Sequence, residues 1–325
     1  MDLRSTQPPP FRAPWWLAGS HAQTVYASLF APAPEVAMRR ERWDTPDGDF
    51  VDVDFVDGPA DAPWLHLFHG LEGSSRSRYA RILMASAREH GWRGSVLHFR
   101  GCSGEMNRLP RAYHSGDTNE IDWVLRRVRT LAGGAPLHAV GVSLGGNAFA
   151  KWLGETAGDA CGIVDRAATV CAPFDLMAAG EALGHGFGLV YSRHFLTTLK
   201  KTALAKLERH PGLFDANAVR RARTLRDFDN VVTAPLHGFR DTDDYWTRAS
   251  AKPWLSSIAV PTLLVNARDD PFLPESALPT EREVSPAVKL EFTRKGGHVG
   301  FVSGPFPGNI GWLPRRIFHF LEHCA

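Results

Sequence analysis

Cysteine pairs, long apolar runs and charge of one sign are all scarce in this 325-residue chain. Its four cysteines (Cys102, Cys161, Cys171, Cys324) form no C-x-x-C pair and show no metal-ligand spacing, which argues against a disulfide framework or zinc module and for free thiols in a reducing compartment. No uninterrupted apolar run approaches a membrane span, and the opening MDLRSTQPPPF lacks the apolar core of a signal peptide. A cytoplasmic protein with no stable membrane insertion is expected. The formal charge of +2 comes from 37 basic and 35 acidic residues spread along the chain without a Lys/Arg block, so nucleic acid is not an expected partner. Neither a G-x-G-x-x-G fingerprint nor a P-loop lysine is present, and no cofactor is expected. His66 and His69, three apart in a strand-like segment, point to opposite faces and cannot readily share one metal.

What is present is ordinary globular composition, 44% hydrophobic and 22% charged, arranged in a regular order. Residues 1–35, rich in Pro and aromatics, read as an irregular arm on the body, with Trp15 and Trp16 expected to cap the core. ERWDT and DFVDVDF, joined by Pro46-Asp47-Gly48, read as a hairpin. Strand and helix signals then alternate: WLHLF (64–68), a helix from about Arg76 to His90, GSVLHF (94–99), a helix from about Asp117 to Leu131, PLHAVGV (136–142), a helix after it, and ATVCA (168–172). That alternation predicts βαβ units and a mostly parallel sheet flanked by helices. Residues 174–254 break it with helix-like runs and no convincing strand, and read as a helical cap inserted over the carboxyl ends of the strands. PTLLVNA (261–267), VKLEF (288–292) and a closing amphipathic helix complete a core of residues 36–173 and 255–325.

Between PLHAVGV and its helix stands Gly141-Val142-Ser143-Leu144-Gly145, a G-x-S-x-G elbow whose strained turn would push the serine oxygen out of the sheet. A serine hydroxyl is a poor nucleophile at neutral pH, so it needs a base and a group to orient that base. In the chain order serine, acid, histidine, the base follows the last strand. His298, in the glycine-flanked loop Gly296-Gly297-His298-Val299-Gly300, suits that role, whereas His319 and His323 belong to the terminal helix. The acid belongs to Asn266-Ala267-Arg268-Asp269-Asp270-Pro271, where Asp269 and Asp270 are both candidates. Negative charge developing on a carbonyl oxygen would need two backbone N–H donors, from Leu144 and from Leu71 in His69-Gly70-Leu71-Glu72-Gly73. Cys102 reads as a structural thiol.

These residues resemble the α/β-hydrolases, and more narrowly the YheT-like esterase branch related to the fungal medium-chain fatty acid ethyl ester synthase/esterases. The resemblance rests on His69 to Ser74 with Tyr79, Phe99 to Gly104, Gly141 to Asn147, Thr233 to Phe239 with Asp244-Tyr245, Asn266 to Pro271, and Gly296 to Phe301. It implies an α/β-hydrolase fold and a triad of Ser143, Asp270 and His298, without a metal. Asp270 is preferred because related loops place the acid four residues before a proline, here Pro274, leaving Asp269 to hold the loop or pair with Arg268. The implied activity is hydrolysis of small-molecule carboxylic esters with short to medium acyl chains. Thioester hydrolysis, acyl transfer to an alcohol, and non-catalytic binding of a small molecule on the same fold are the alternatives, and the sequence leaves the oligomeric state open.

Overall fold

A computed structural model describes residues 9–323; the first eight residues of the arm and Cys324 lie outside the described residues. One sheet of eight strands organises the chain: β1 (Arg39–Asp44), β2 (Phe50–Val56), β3 (Trp64–Phe68), β4 (Arg93–His98), β5 (Leu137–Val142), β6 (Arg166–Val170), β7 (Thr262–Ala267) and β8 (Val288–Thr293). Their spatial order is β1-β2-β4-β3-β5-β6-β7-β8. β2 pairs antiparallel with both β1 and β4, and the remaining pairs are parallel. The parallel strands β3 and β5 are buried at every position, as residues covered on both faces must be, which explains their continuous apolar runs. β2 is equally buried although it carries Asp52 and Asp54, whose carboxylates meet the guanidinium groups of Arg42 and Arg40 on β1.

Helices cover both faces. α2 (Arg78–Glu89) and α11 (Trp312–His323), the latter through Ile317, share one core with the β3, β5 and β7 side chains that point their way, including Leu65, Val140 and Leu263. α3 (Thr118–Ala132) and α4 (Leu144–Thr156) close the other core, through Ile121, Val124, Phe149 and Trp152. Among the described residues no helix is long and apolar enough to cross a membrane.

Between β6 and β7 the chain is helical: α5 (Leu176–Leu183), α6 (Gly188–Arg209), α7 (Ala216–Arg221), α8 (Leu225–Phe228), a π-helical turn (Asp229–Thr233), α9 (Ala234–Leu236) and α10 (Thr242–Ala249). Its own small core of Leu196, Val219, Phe228 and Val232 makes it a packed layer. Three buried polar ties join it to the body. Lys206 of α6 donates to Asn107 Oδ1 and to the carbonyls of Leu109 and Arg111, and burial pulls its pKa down to about 8. Asn147 of α4 donates to the Ser115 and Ala249 carbonyls and accepts from the Ala251 N–H. Tyr245 of α10, prominent in the sequence, uses its hydroxyl on both the N–H and the Oγ of Ser115.

The arm differs from expectation. It contains a ten-residue helix, α1 (Ser20–Leu29), because Ser20 to Leu29 carries no Pro or Gly and is bracketed by Gly19 and Pro32. Trp15 does not cap the core but is 91% exposed, while Trp16 is half-buried and donates its indole N–H to the Gly304 carbonyl.

Candidate active site

Ser143 follows β5 directly and caps the N-terminus of α4 with φ +53° and ψ −123°, a left-handed backbone that a non-glycine residue holds only when its surroundings enforce it. The enforcement is visible in the glycines. A Cβ on Gly141 would lie 2.6 Å from Gly146 Cα, and one on Gly145 would lie 2.4 Å from the His69 carbonyl oxygen. Only chains without side chains at these points can pass that close. Gly145→Ala should therefore unseat the elbow, lowering the melting temperature by several degrees and activity by more; an alanine variant as stable as the parent would remove this account of the motif.

His298 sits in the loop after β8, and its Nε2 is 2.9 Å from Ser143 Oγ. Its Nδ1 lies 2.9 and 3.1 Å from the two Asp270 carboxylate oxygens. Since a carboxylate only accepts, Nδ1 carries the proton and Nε2 presents its lone pair to the serine hydroxyl. The Asp270 side chain is fully buried and also accepts the Phe272 N–H at 2.8 Å, so it has little freedom to turn away. Phe272 stacks flat on the imidazole, ring centroids 3.9 Å apart and planes 15° from parallel.

Asp269 faces elsewhere. Its Oδ1 accepts the Gly297 N–H at 2.9 Å, and burial, with the neighbouring Asp270 charge, raises its pKa above the usual carboxylate range. Arg268 does not pair with it but reaches Glu275 at 2.8 Å, across the turn that follows.

Leu71 stands in the loop after β3, which passes so near the elbow that a Cβ on Gly70 would lie 3.0 Å from Ser143 Cβ. The amides flanking Leu71 are occupied: Gly70 N–H donates to Tyr79 Oη, Glu72 N–H to Tyr113 Oη, and Gly73 N–H to the Gly70 carbonyl. The Leu71 N–H has no acceptor among the described residues, and the Leu144 N–H, first in α4, has none within its helix. His69 braces the loop from behind, accepting the Phe99 N–H on Nε2 and donating from Nδ1 to the Gly70 carbonyl. His66 is likewise engaged, its Nδ1 2.7 Å from Ser95 Oγ. Burial drives the pKa of both histidines down to about 3, so they are neutral spacers.

One neighbour escaped the sequence reading. Cys171, immediately after β6, accepts the Val299 N–H on Sγ at 3.2 Å and lies beside Asp270 and His298. Burial and the Asp270 charge push its thiol well above the ordinary range, which keeps it protonated. Its signal was positional only, a cysteine at the end of the strand next to the elbow strand.

Ser143 and His298 open onto a cavity walled mostly by apolar side chains from the helical layer, among them Leu176, Leu183, Phe195, Leu199 and Val232. Of these cavity residues Leu183 ends α5, Phe195 and Leu199 stand on α6, and Tyr191 of α6 packs on Phe272. Phe187 and Leu189 do not line it: α6 begins only at Gly188, and Phe187 rests outside against the His21 ring. Cys102, its thiol made less acidic by burial, also borders the cavity.

Comparisons with known proteins agree with this architecture. The model of the alpha/beta hydrolase fold family matches residues 63–305. YheT of Escherichia coli, whose name assigns it provisionally to the esterases, is 43% identical over 91% of this chain and 88% of its own. The mouse phospholipase ABHD3 is 32% identical over 94% of this chain and 77% of its own. Among solved structures, an esterase of Pyrococcus furiosus superposes with a TM-score of 0.56 over 98% of this chain and 97% of its own; at 16% identity, it speaks for the fold alone.

Proposed function

The chain belongs to the α/β-hydrolase family, and from that premise we propose that it is a serine hydrolase of carboxylic esters. The observation that carries the reading is the continuous line from Ser143 Oγ through His298 to Asp270, open on its serine side to an apolar cavity. In this reading Ser143 Oγ attacks the ester carbonyl carbon as His298 Nε2 takes its proton, and the imidazolium is held by Asp270. The carbonyl oxygen, now negative, accepts the N–H groups of Leu71 and Leu144, donors already in place and therefore free of reorganisation cost. Collapse expels the alcohol, which receives the proton from His298. A water activated by the same nitrogen then releases the carboxylic acid and restores the serine.

The acyl chain lies in the cavity beneath α5 and α6, which favours short to medium chains over acetate alone. Each methylene buried there should contribute about 0.8 kcal/mol, close to fourfold in kcat/KM, until the wall is reached. A series of p-nitrophenyl esters tests this, read together with labelling by a fluorophosphonate probe. The expected profile climbs over several carbons and then stops, and Leu199→Trp should move the maximum to shorter chains. A flat profile from about two to about ten carbons, left unmoved by the tryptophan, would assign the acyl group to another surface.

A further inference from the structure

The loop that carries His298 is a poor candidate for standing on its own. Gly297, Val299 and Phe301 all hold left-handed backbones, with φ of +60°, +55° and +45°. On one side Asp269 and Cys171 hold it, through the Gly297 and Val299 amides. On the other side stands α1, separated from it by most of the chain. Thr24 Oγ1 accepts the His298 N–H at 2.9 Å while donating to the Ser20 carbonyl at 2.8 Å, so its hydroxyl is fixed in direction. Gln23, fully buried, accepts the Val302 N–H on Oε1 at 2.8 Å and donates from Nε2 to the Val302 and Leu17 carbonyls at 3.1 and 2.9 Å.

The contact is close enough to dictate sequence. A Cβ on Gly297 would lie 2.5 Å from the Ser20 carbonyl oxygen, and one on Gly300 would lie 2.9 Å from that of Gln23. A second route runs through rings: His21 Nδ1 is 3.0 Å from Tyr191 Oη, Tyr191 packs on Phe272 with centroids 4.7 Å apart, and Phe272 covers the imidazole. Both the backbone and the ring of His298 are thus referenced to α1.

We propose that Thr24 and Gln23 are positioning residues for His298, setting the angle at which Nε2 meets the serine hydroxyl. This rests on the serine-hydrolase reading above. Because a misplacement of about 1 Å can cost about 10²-fold in rate, loss of the Thr24 hydroxyl should act on turnover and leave the apolar cavity alone.

Thr24→Val removes the hydroxyl at constant shape, and Thr24→Ser restores it. With a p-nitrophenyl ester, Thr24→Val should lower kcat by roughly ten- to a hundredfold with KM within about twofold, and Thr24→Ser should recover kcat to within about threefold. The rate of fluorophosphonate labelling should fall in parallel with kcat. Thr24→Ala replaces the valine variant should the latter not accumulate as folded protein, with the same expectation. A Thr24→Val enzyme with parental kcat, whether or not its melting temperature drops, overturns the proposal, as does a serine variant that fails to recover. Ser143→Ala in the same assay separates the two readings: if it retains turnover, the nucleophile assignment itself falls, and with it the basis for this one.

Discussion

Ser143→Ala is expected to abolish fluorophosphonate labelling and to reduce ester hydrolysis by roughly 10⁴-fold or more, while leaving the fold intact. The size of the effect follows from the unit character of the site. Among the described residues His298 Nε2 bonds only Ser143 Oγ, and on the proposed mechanism the base without that oxygen activates nothing that forms an acyl-enzyme. The deletion removes a single atom at a half-exposed turn whose backbone is fixed by the Val170 and Asn147 hydrogen bonds, so melting should change little. His298→Ala should lose activity by a similar order. Ser143→Ala with more than a few per cent of parental turnover would reject Ser143 as nucleophile.

Asp270→Asn should cost about 10⁴-fold in kcat, and Asp269→Asn far less. The two carboxylates are adjacent in sequence, yet only Asp270 touches the imidazole, at 2.9 Å, whereas Asp269 is occupied by the Gly297 amide. An asparagine at 270 can offer its NH₂ to Nδ1, which would move the ring proton to Nε2 and leave no lone pair toward the serine. Asparagine at 269 keeps an oxygen for the Gly297 N–H and disturbs only the seating of the loop. Reversed magnitudes in kcat would transfer the role to Asp269; two equally mild losses would place the acid elsewhere.

Much of this architecture is legible in the residues because its rules are local. WLHLF is β3 residue for residue, and the hairpin, the βαβ alternation and the helical interruption after β6 follow from period and turn chemistry. The candidate site is legible for a related reason: each of its members sits just after a strand, where a parallel sheet gathers loop residues from distant parts of the chain. Ser143 follows β5, Asp270 follows β7 and His298 follows β8. What depends on tertiary contact is not legible. α1 has weak amphipathicity and proline-rich surroundings, and its worth lies in Gln23 and Thr24, polar residues whose partners at 298 and 302 no local pattern announces. Cys171 offers only its position at a strand end, and the choice of Glu275 by Arg268 offers nothing.

The pairing of α1 with the histidine loop also bears on how the molecule folds. The Thr24–His298 and Gln23–Val302 bonds close sequence separations of 274 and 279 residues, among the longest-range links in the chain. Ring closure over such distances pays its entropy before any contact rewards it, and contacts of this kind form late and slow the search. The elbow, by comparison, needs only β5, α4 and their immediate neighbours. On the proposed mechanism the elbow can form before the imidazole is placed, and competence to cleave an ester would require the docking of α1 as well. Activity regained during refolding should lag the recovery of sheet and helix signals, which makes the enzyme a reporter on its own final stage of assembly.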